Sequence, residues 1–227
     1  LALDGYSITV FEKEQKLGGM LTMGIPAFRL EKDVVQAEID IIKAMGVEFK
    51  TGVEVGKDVT LEELRAQGYK AFYMAIGAQG GRKVGIEGED SQGVMSGIEF
   101  LRMINQDENK KVQGKVVVVG GGNVAIDVSR TAVRAGAESV MQCCLESRQQ
   151  MPAALEEIEE AEEENIVINN GWGPKRILSE NGKVTGIEFK KCVSVFDENR
   201  RFNPQYDEND VMVVEADCVL LSIGQSI

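Results

Sequence analysis

Val116-Val117-Val118-Val119-Gly120-Gly121-Gly122-Asn123-Val124-Ala125 decides the fold. Four consecutive β-branched residues suit a central parallel strand buried on both faces. The glycines that follow fit G-x-G-x-x-G/A, as Gly120, Gly122 and Ala125. In that pattern the first glycine permits a tight turn and the second lets a pyrophosphate approach the backbone. The small third residue lets helix and strand pack closely. Free N–H groups at the helix start, aided by the helix dipole, then face the phosphates. The spacing predicts a helix to about Ala135, ended by Gly136, and a next strand over Val140 to Leu145. Together these make a βαβ unit.

Glu146 follows that strand, 24 residues after Gly122, where an acid accepts hydrogen bonds from the ribose hydroxyls of NAD and repels a 2′-phosphate. Arg148 lies two residues on and pulls toward NADP. Upstream, Tyr6 to Glu12 reads as a buried strand ending on another acid, with Glu12 a candidate for a second ribose. The glycine loop that should precede it by roughly 20 to 25 residues falls before Leu1. Gly18 and Gly19 form a turn able to approach a cofactor. A helix is expected over 31–45, with Val35, Ile39, Ile42 and Met45 on its apolar face and a left-handed stop at Gly46. Val47 to Lys50 is a short strand. Thr60-Leu61-Glu62-Glu63 has capping-box spacing. Ala71 to Ile76 reads as a buried strand closing on Gly77, and Cys218 to Gly224 echoes it, again ending Ile-Gly.

The glycine-rich connector 80–97 places a domain boundary near 93. A short helix is expected at 97–106. Seven glutamates between 154 and 164 read as a solvated helix face. Residues 183–215 read as a small antiparallel β-meander, with strands at Val184 to Lys191, Val193 to Phe196 and Val211 to Glu215 and a polar turn over 197–210. The fold class expected is α/β, with tandem Rossmann-like three-layer dinucleotide-binding domains. Residues 1–93 would be an incomplete half for a second dinucleotide. Residues 94–227 would be a complete NAD(P) half that includes the meander and a crossover strand.

Composition narrows the chemistry. The chain has 227 residues and a net charge of −12, against general binding of nucleic acid or anionic membrane. No stretch approaches the roughly 20 apolar residues of a membrane span. It contains no histidine, which removes Ser-His-Asp and Cys-His catalysis and imidazole metal ligands. Cys143, Cys144, Cys192 and Cys218 form no C-x-x-C pair. They read as reduced structural residues, in keeping with a cytoplasmic protein, and neither a redox dithiol nor an iron–sulfur ligand pattern is present.

Glu12, Leu17-Gly18-Gly19, Gly24-Ile25-Pro26-Ala27-Phe28-Arg29-Leu30, Gly120 to Asp127, Ser147-Arg148, Met151-Pro152-Ala153 and Ile223-Gly224-Gln225 together resemble the glutamate synthase small-subunit family. That family includes the flavin domains of dihydropyrimidine dehydrogenase and related iron–sulfur oxidoreductases. The resemblance implies a flavoprotein oxidoreductase that moves hydride from NADH, or less readily NADPH, to FAD. Electrons then pass to iron–sulfur clusters in a domain outside this chain or in a partner subunit. Glu12, Gly18, Gly19, Leu21, Ala75 and Gly77 would lie along FAD. Gly120, Gly122, Asn123, Val124, Glu146 and Arg148 would hold the nicotinamide dinucleotide, with Gly224 near its nicotinamide end. No side-chain acid or base is needed, since the two cofactors carry the chemistry, and no catalytic residue or metal ligand is assigned. Family members using NADPH tend to show two arginines where this chain has Leu145 and Glu146, which favours NADH. The front FAD loop, the terminal Gly-Asp segment and an amino-terminal iron–sulfur domain are expected outside the chain, so turnover by the chain alone is not expected. The competing class is a non-catalytic nucleotide-binding regulatory or scaffolding subunit. Acceptor, substrate and oligomeric state stay open.

Overall fold

The computed structural model describes residues 1–107 and 109–226. The chain divides into two units, Leu1–Gly77 and Ala78–Ile227. The glycine connector through residue 93, where the sequence suggests a boundary, therefore belongs to the second unit.

In the first unit, strand β1 (Thr9–Glu12) pairs in parallel with β2 (Glu48–Thr51). Helix α1 (Met20–Met23) and helix α2 (Lys32–Ala44) lie between them in sequence. Helix α2 ends at Gly46, whose φ of 88° gives the left-handed stop that was expected. Its apolar stripe is only half used: Val35 and Ile39 are buried, while Ile42 and Met45 are exposed. Helix α3 (Leu61–Ala66) opens on the expected capping box. Thr60 Oγ1 accepts from the Glu63 N–H at 3.2 Å, and Glu63 Oε2 accepts from the Thr60 N–H at 2.8 Å.

Two expectations fail in this unit. Strand β1 is half-buried rather than buried, with Val10 exposed. Ala71 to Ile76 forms no strand. Tyr73, Met74 and Ile76 are exposed, Tyr73 to 89%. A strand is defined by its ladder, because each backbone N–H and C=O needs a partner. Among the described residues of this unit the one sheet is β1–β2, and it supplies 71–76 with no neighbour.

The second unit is built around a five-stranded, wholly parallel sheet. Its strands are β4 (Val94–Ser96), β5 (Lys115–Val119), β6 (Ser139–Cys144), β7 (Val167–Asn170) and β11 (Cys218–Leu221), in the order β4-β11-β5-β6-β7. A two-residue ladder joins β3 (Gly80–Gly81) to β12 (Gln225–Ser226). One face of the parallel sheet packs on helices α4 (Gly97–Gln106), α5 (Asn123–Arg134) and α6 (Leu155–Glu163). The other packs on the meander formed by β8 (Trp172–Glu180), β9 (Lys183–Phe196) and β10 (Phe202–Glu215).

The four-valine run explains this layering. Successive side chains of a strand point to opposite faces. Val116 and Val118 join the helix-side core with Phe100, Ala125, Ile126 and Leu220. Val117 and Val119 join the meander-side core with Ile187, Phe189 and Val219. Full burial of such a side chain stabilises by about 1.5–3 kcal/mol relative to exposure. Polar residues on either face would lose that, so a strand between two layers is apolar except where a polar side chain finds a buried partner.

The meander is larger than its sequence suggests. Strands β9 and β10 each run 14 residues, and residues 202–210 are strand rather than turn. The ladder jumps from the pair Asp207 and Lys191 to the pair Val211 and Lys190, so Glu208, Asn209 and Asp210 are extra residues on β10. Strand β8 escapes sequence reading because Pro174 sits inside it, which is tolerated on an edge. The glutamates of 154–164 are not simply solvated. Arg130 and Arg134 of α5 pair with Glu160 and Glu164, tying α5 to α6. Burial pushes the Glu164 carboxyl up, but hydrogen bonds from Arg134 and Arg130 outweigh it and hold the group below its ordinary value.

Candidate dinucleotide site

The turn between β5 and α5 is fixed from three sides. The Gly120 N–H donates to the Cys143 carbonyl at 2.9 Å. Its carbonyl accepts from Gln142 Nε2 at 2.9 Å, and Gln142 Oε1 accepts from Ser129 Oγ at 2.9 Å. Gln142 is 0% exposed, so this chain from helix through strand to loop runs in a low-dielectric interior where hydrogen bonds hold firmly. From the third side, Ala153 N–H donates to the Gly121 carbonyl at 3.1 Å, and Ala154 N–H donates to Asn123 Oδ1 at 2.9 Å. The Met151-Pro152-Ala153 segment is thus a brace for the glycine turn.

The three glycines have different reasons. Gly120 has a φ of 145°, and a methyl there would lie 2.3 Å from the Ser222 carbonyl oxygen on β11's extension. A methyl on Gly121 would lie 2.6 Å from Glu146 Oε2, so the absent side chain lets the Glu146 carboxylate cross the turn. At Gly122 the nearest atom to such a methyl is Pro152 Cγ at 3.9 Å. That backbone is open. Gly122 is also the N-cap of α5 and provides no side-chain cap; its carbonyl accepts from the Ala125 N–H at 2.9 Å, which leaves the Asn123 and Val124 N–H groups to another acceptor.

A cavity of about 220 Å³ lies against this helix start, lined by Gly122, Asn123, Val124, Ser222, Ile98 and Gly224 among others. It is smaller than the roughly 300–1,000 Å³ of pockets that enclose whole ligands. It would take part of a ligand, the rest lying along the surface. Ser222 Oγ is buried and without a hydrogen-bond partner at its wall. Uncapped donors, open backbone and an orphaned hydroxyl suit the diphosphate part of a dinucleotide.

The expected residues divide in two. Gly120, Gly122, Asn123, Val124 and Gly224 meet at or beside the cavity, and the Glu146 carboxylate lies over Gly121. Arg148 is engaged elsewhere, with both terminal guanidinium nitrogens on the Glu162 carboxylate of α6. In the first unit, Glu12 Oε1 accepts from the Glu14 N–H at 2.9 Å, a local contact. The space beside Gly18 is taken by Thr22 and Val35, and that beside Gly19 is open. Leu21, Ala75 and Gly77 are exposed. Gln142, Ser222 and Ile98 were missed by sequence reading. A buried glutamine in an apolar strand was the one signal available, since buried polar groups almost always have assigned partners.

All four cysteines are free and buried. Burial, then the neighbouring Cys144, pushes Cys143 up to about 12; burial, then Glu146, does the same for Cys144. Burial, then Asp217, pushes Cys218 up to about 11.

Residues 1–227 match the family of pyridine nucleotide-disulphide oxidoreductases. The chain belongs to that family. The NADPH-Fe(3+) oxidoreductase subunit beta of Geobacter sulfurreducens is 40% identical over 99% of the chain and 34% of its own length. The glutamate synthase (NADPH) small chain of Escherichia coli K12 is 33% identical over 99% of the chain and 50% of its own length. The chain thus spans a third to a half of these relatives. Among solved structures, FprA from Mycobacterium tuberculosis superposes with a TM-score of 0.80 at 19% identity, covering 96% of this chain and 64% of that one. That likeness supports the Rossmann-like fold. No helix among the described residues is long and apolar enough to cross a membrane.

Proposed function

We propose that this chain is the nicotinamide-binding part of an NADH-linked flavin oxidoreductase that passes electrons to a partner subunit or domain. The observation carrying this reading is the uncapped start of α5 against the cavity, with the Glu146 carboxylate beside Gly121 of the same turn. Asn123 and Val124 N–H groups would donate to the pyrophosphate, with Gly120 and Gly122 letting it approach. Glu146 would accept from the adenosine ribose, and Gly224 would lie toward the nicotinamide end. Flavin, when bound, supplies the hydride-accepting and single-electron chemistry. Its assignment here, including Glu12, Gly18, Gly19, Leu21, Ala75 and Gly77, rests on family kinship. The partner is suggested by relatives named as beta subunits. Iron–sulfur clusters would belong to that partner or to a further domain.

The preference for NADH is supported by an apolar residue and an acid at Leu145 and Glu146. NADPH is favoured by the names of the relatives. Calorimetric titration of the chain with NADH and NADPH at one salt concentration decides between them. We expect tighter NADH binding, and a shift of about tenfold or more toward NADPH in Glu146→Arg. Tighter NADPH binding by the unaltered chain would overturn the preference, and binding of neither would overturn the site.

A further inference from the structure

Arg148 is the guanidinium nearest in sequence to the proposed ribose acid, two residues past Glu146 on a 3₁₀ turn (Arg148–Gln150). Both of its terminal nitrogens face one carboxylate, with Nη2 2.8 Å from Glu162 Oε2 and Nη1 on Oε1. This forked grip is the geometry with which arginine also binds a phosphate. One guanidinium cannot offer the same fork to both. Other acids of this helix region have different work: Glu160 and Glu164 hold Arg130 and Arg134. Glu162 has no part in that clamp, and both members of its pair are half-exposed.

We propose that Glu162 is a specificity-determining residue, which disfavours a 2′-phosphate by keeping Arg148 occupied. This rests on the placement of the adenosine ribose at Glu146. A 2′-phosphate then meets two obstacles: the charge of Glu146, and the need to break the Arg148–Glu162 pair before a guanidinium can answer it. An exposed pair is worth about 0–1 kcal/mol, so the second obstacle accounts for up to about fivefold in affinity. It can also be removed without threatening the fold. Glu159 adds to the field at Arg148 and is the natural substitute partner if Glu162 is lost.

The test uses the full chain and two small probes, 5′-AMP and 2′,5′-ADP, titrated by calorimetry at fixed salt. In Glu162→Gln the affinity for 2′,5′-ADP should rise about 3- to 5-fold while that for 5′-AMP stays level. In Glu159→Gln/Glu162→Gln the rise should be at least as large. Adding Arg148→Ala to either variant should abolish it. Unchanged 2′,5′-ADP binding in both variants, or a gain that survives loss of Arg148, overturns the role of Glu162. If the unaltered chain binds 5′-AMP normally, that failure leaves the ribose placement standing. If it binds neither probe, the placement itself is refuted and this inference falls with it.

Discussion

Cys218 to Gly224 and Ala71 to Gly77 echo each other in sequence, each an apolar run ending Ile-Gly, and they have opposite fates. Cys218–Leu221 lies between β4 and β5, paired in parallel on both sides and buried throughout. Residues 71–76 have no ladder and stand in the open. Composition is the same in kind, so the difference lies in the neighbours. A β-competent run becomes a strand only when other backbones satisfy its polar groups and other layers cover its faces.

The sharpest way to break this comparison is to truncate one side chain in each run. Leu220 is 0% exposed and Ile76 is 62% exposed. Leu220→Ala should cost about 2–5 kcal/mol in urea unfolding, while Ile76→Ala should fall within about 0.5 kcal/mol of the unaltered chain. Equal losses would mean that 71–76 is buried in solution.

A second pair sharpens the contrast inside the glycine turn. Gly120→Ala forces a methyl against the Ser222 carbonyl at a left-handed φ and should destabilise by about 1–3 kcal/mol. Gly122→Ala meets open space, so its melting temperature should hold while dinucleotide affinity falls about tenfold. Loss of stability in both, with binding intact in the second, would make Gly122 a folding residue only.

The smallest expected effect is an absence of reaction. Burial disfavours the thiolate and raises the thiol values to about 12 for Cys143 and Cys144 and about 11 for Cys218. Thiolate therefore stays scarce as pH rises from 7 to 9. Native alkylation of these three should stay flat over that range, and all should react after denaturation. Rapid labelling of the native chain at pH 7 would show that the core of the second unit opens.

What could be read from the chain follows the same line. The β5-turn-α5 unit was legible because its signals are local: a strand, glycines at fixed offsets, a helix stop at Gly136. The capping box at Thr60 was legible for the same reason. Strand β8 was hidden by Pro174, and β10 by its polar, bulged middle, because edge strands obey looser rules of composition. Residues 71–76 misled because partners are not written in a run's own residues. In the candidate site, the glycines and Glu146 were put forward by spacing. The hold of Gln142 on Gly120, 22 residues away, and of Glu162 on Arg148 could not be, since such pairs are set by how helices and strands come together.

The three extra residues on β10 carry a consequence for life in a crowded solution. A 14-residue strand at the rim of a sheet is a template on which a second molecule could stack, and such stacking begins fibres. Here the rim is interrupted at three register shifts. Around its largest interruption it also bears Asp207, Glu208 and Asp210, carboxylates that would meet their own copies in any self-pairing. The irregularity that hid this strand from sequence reading is thus a guard against aggregation.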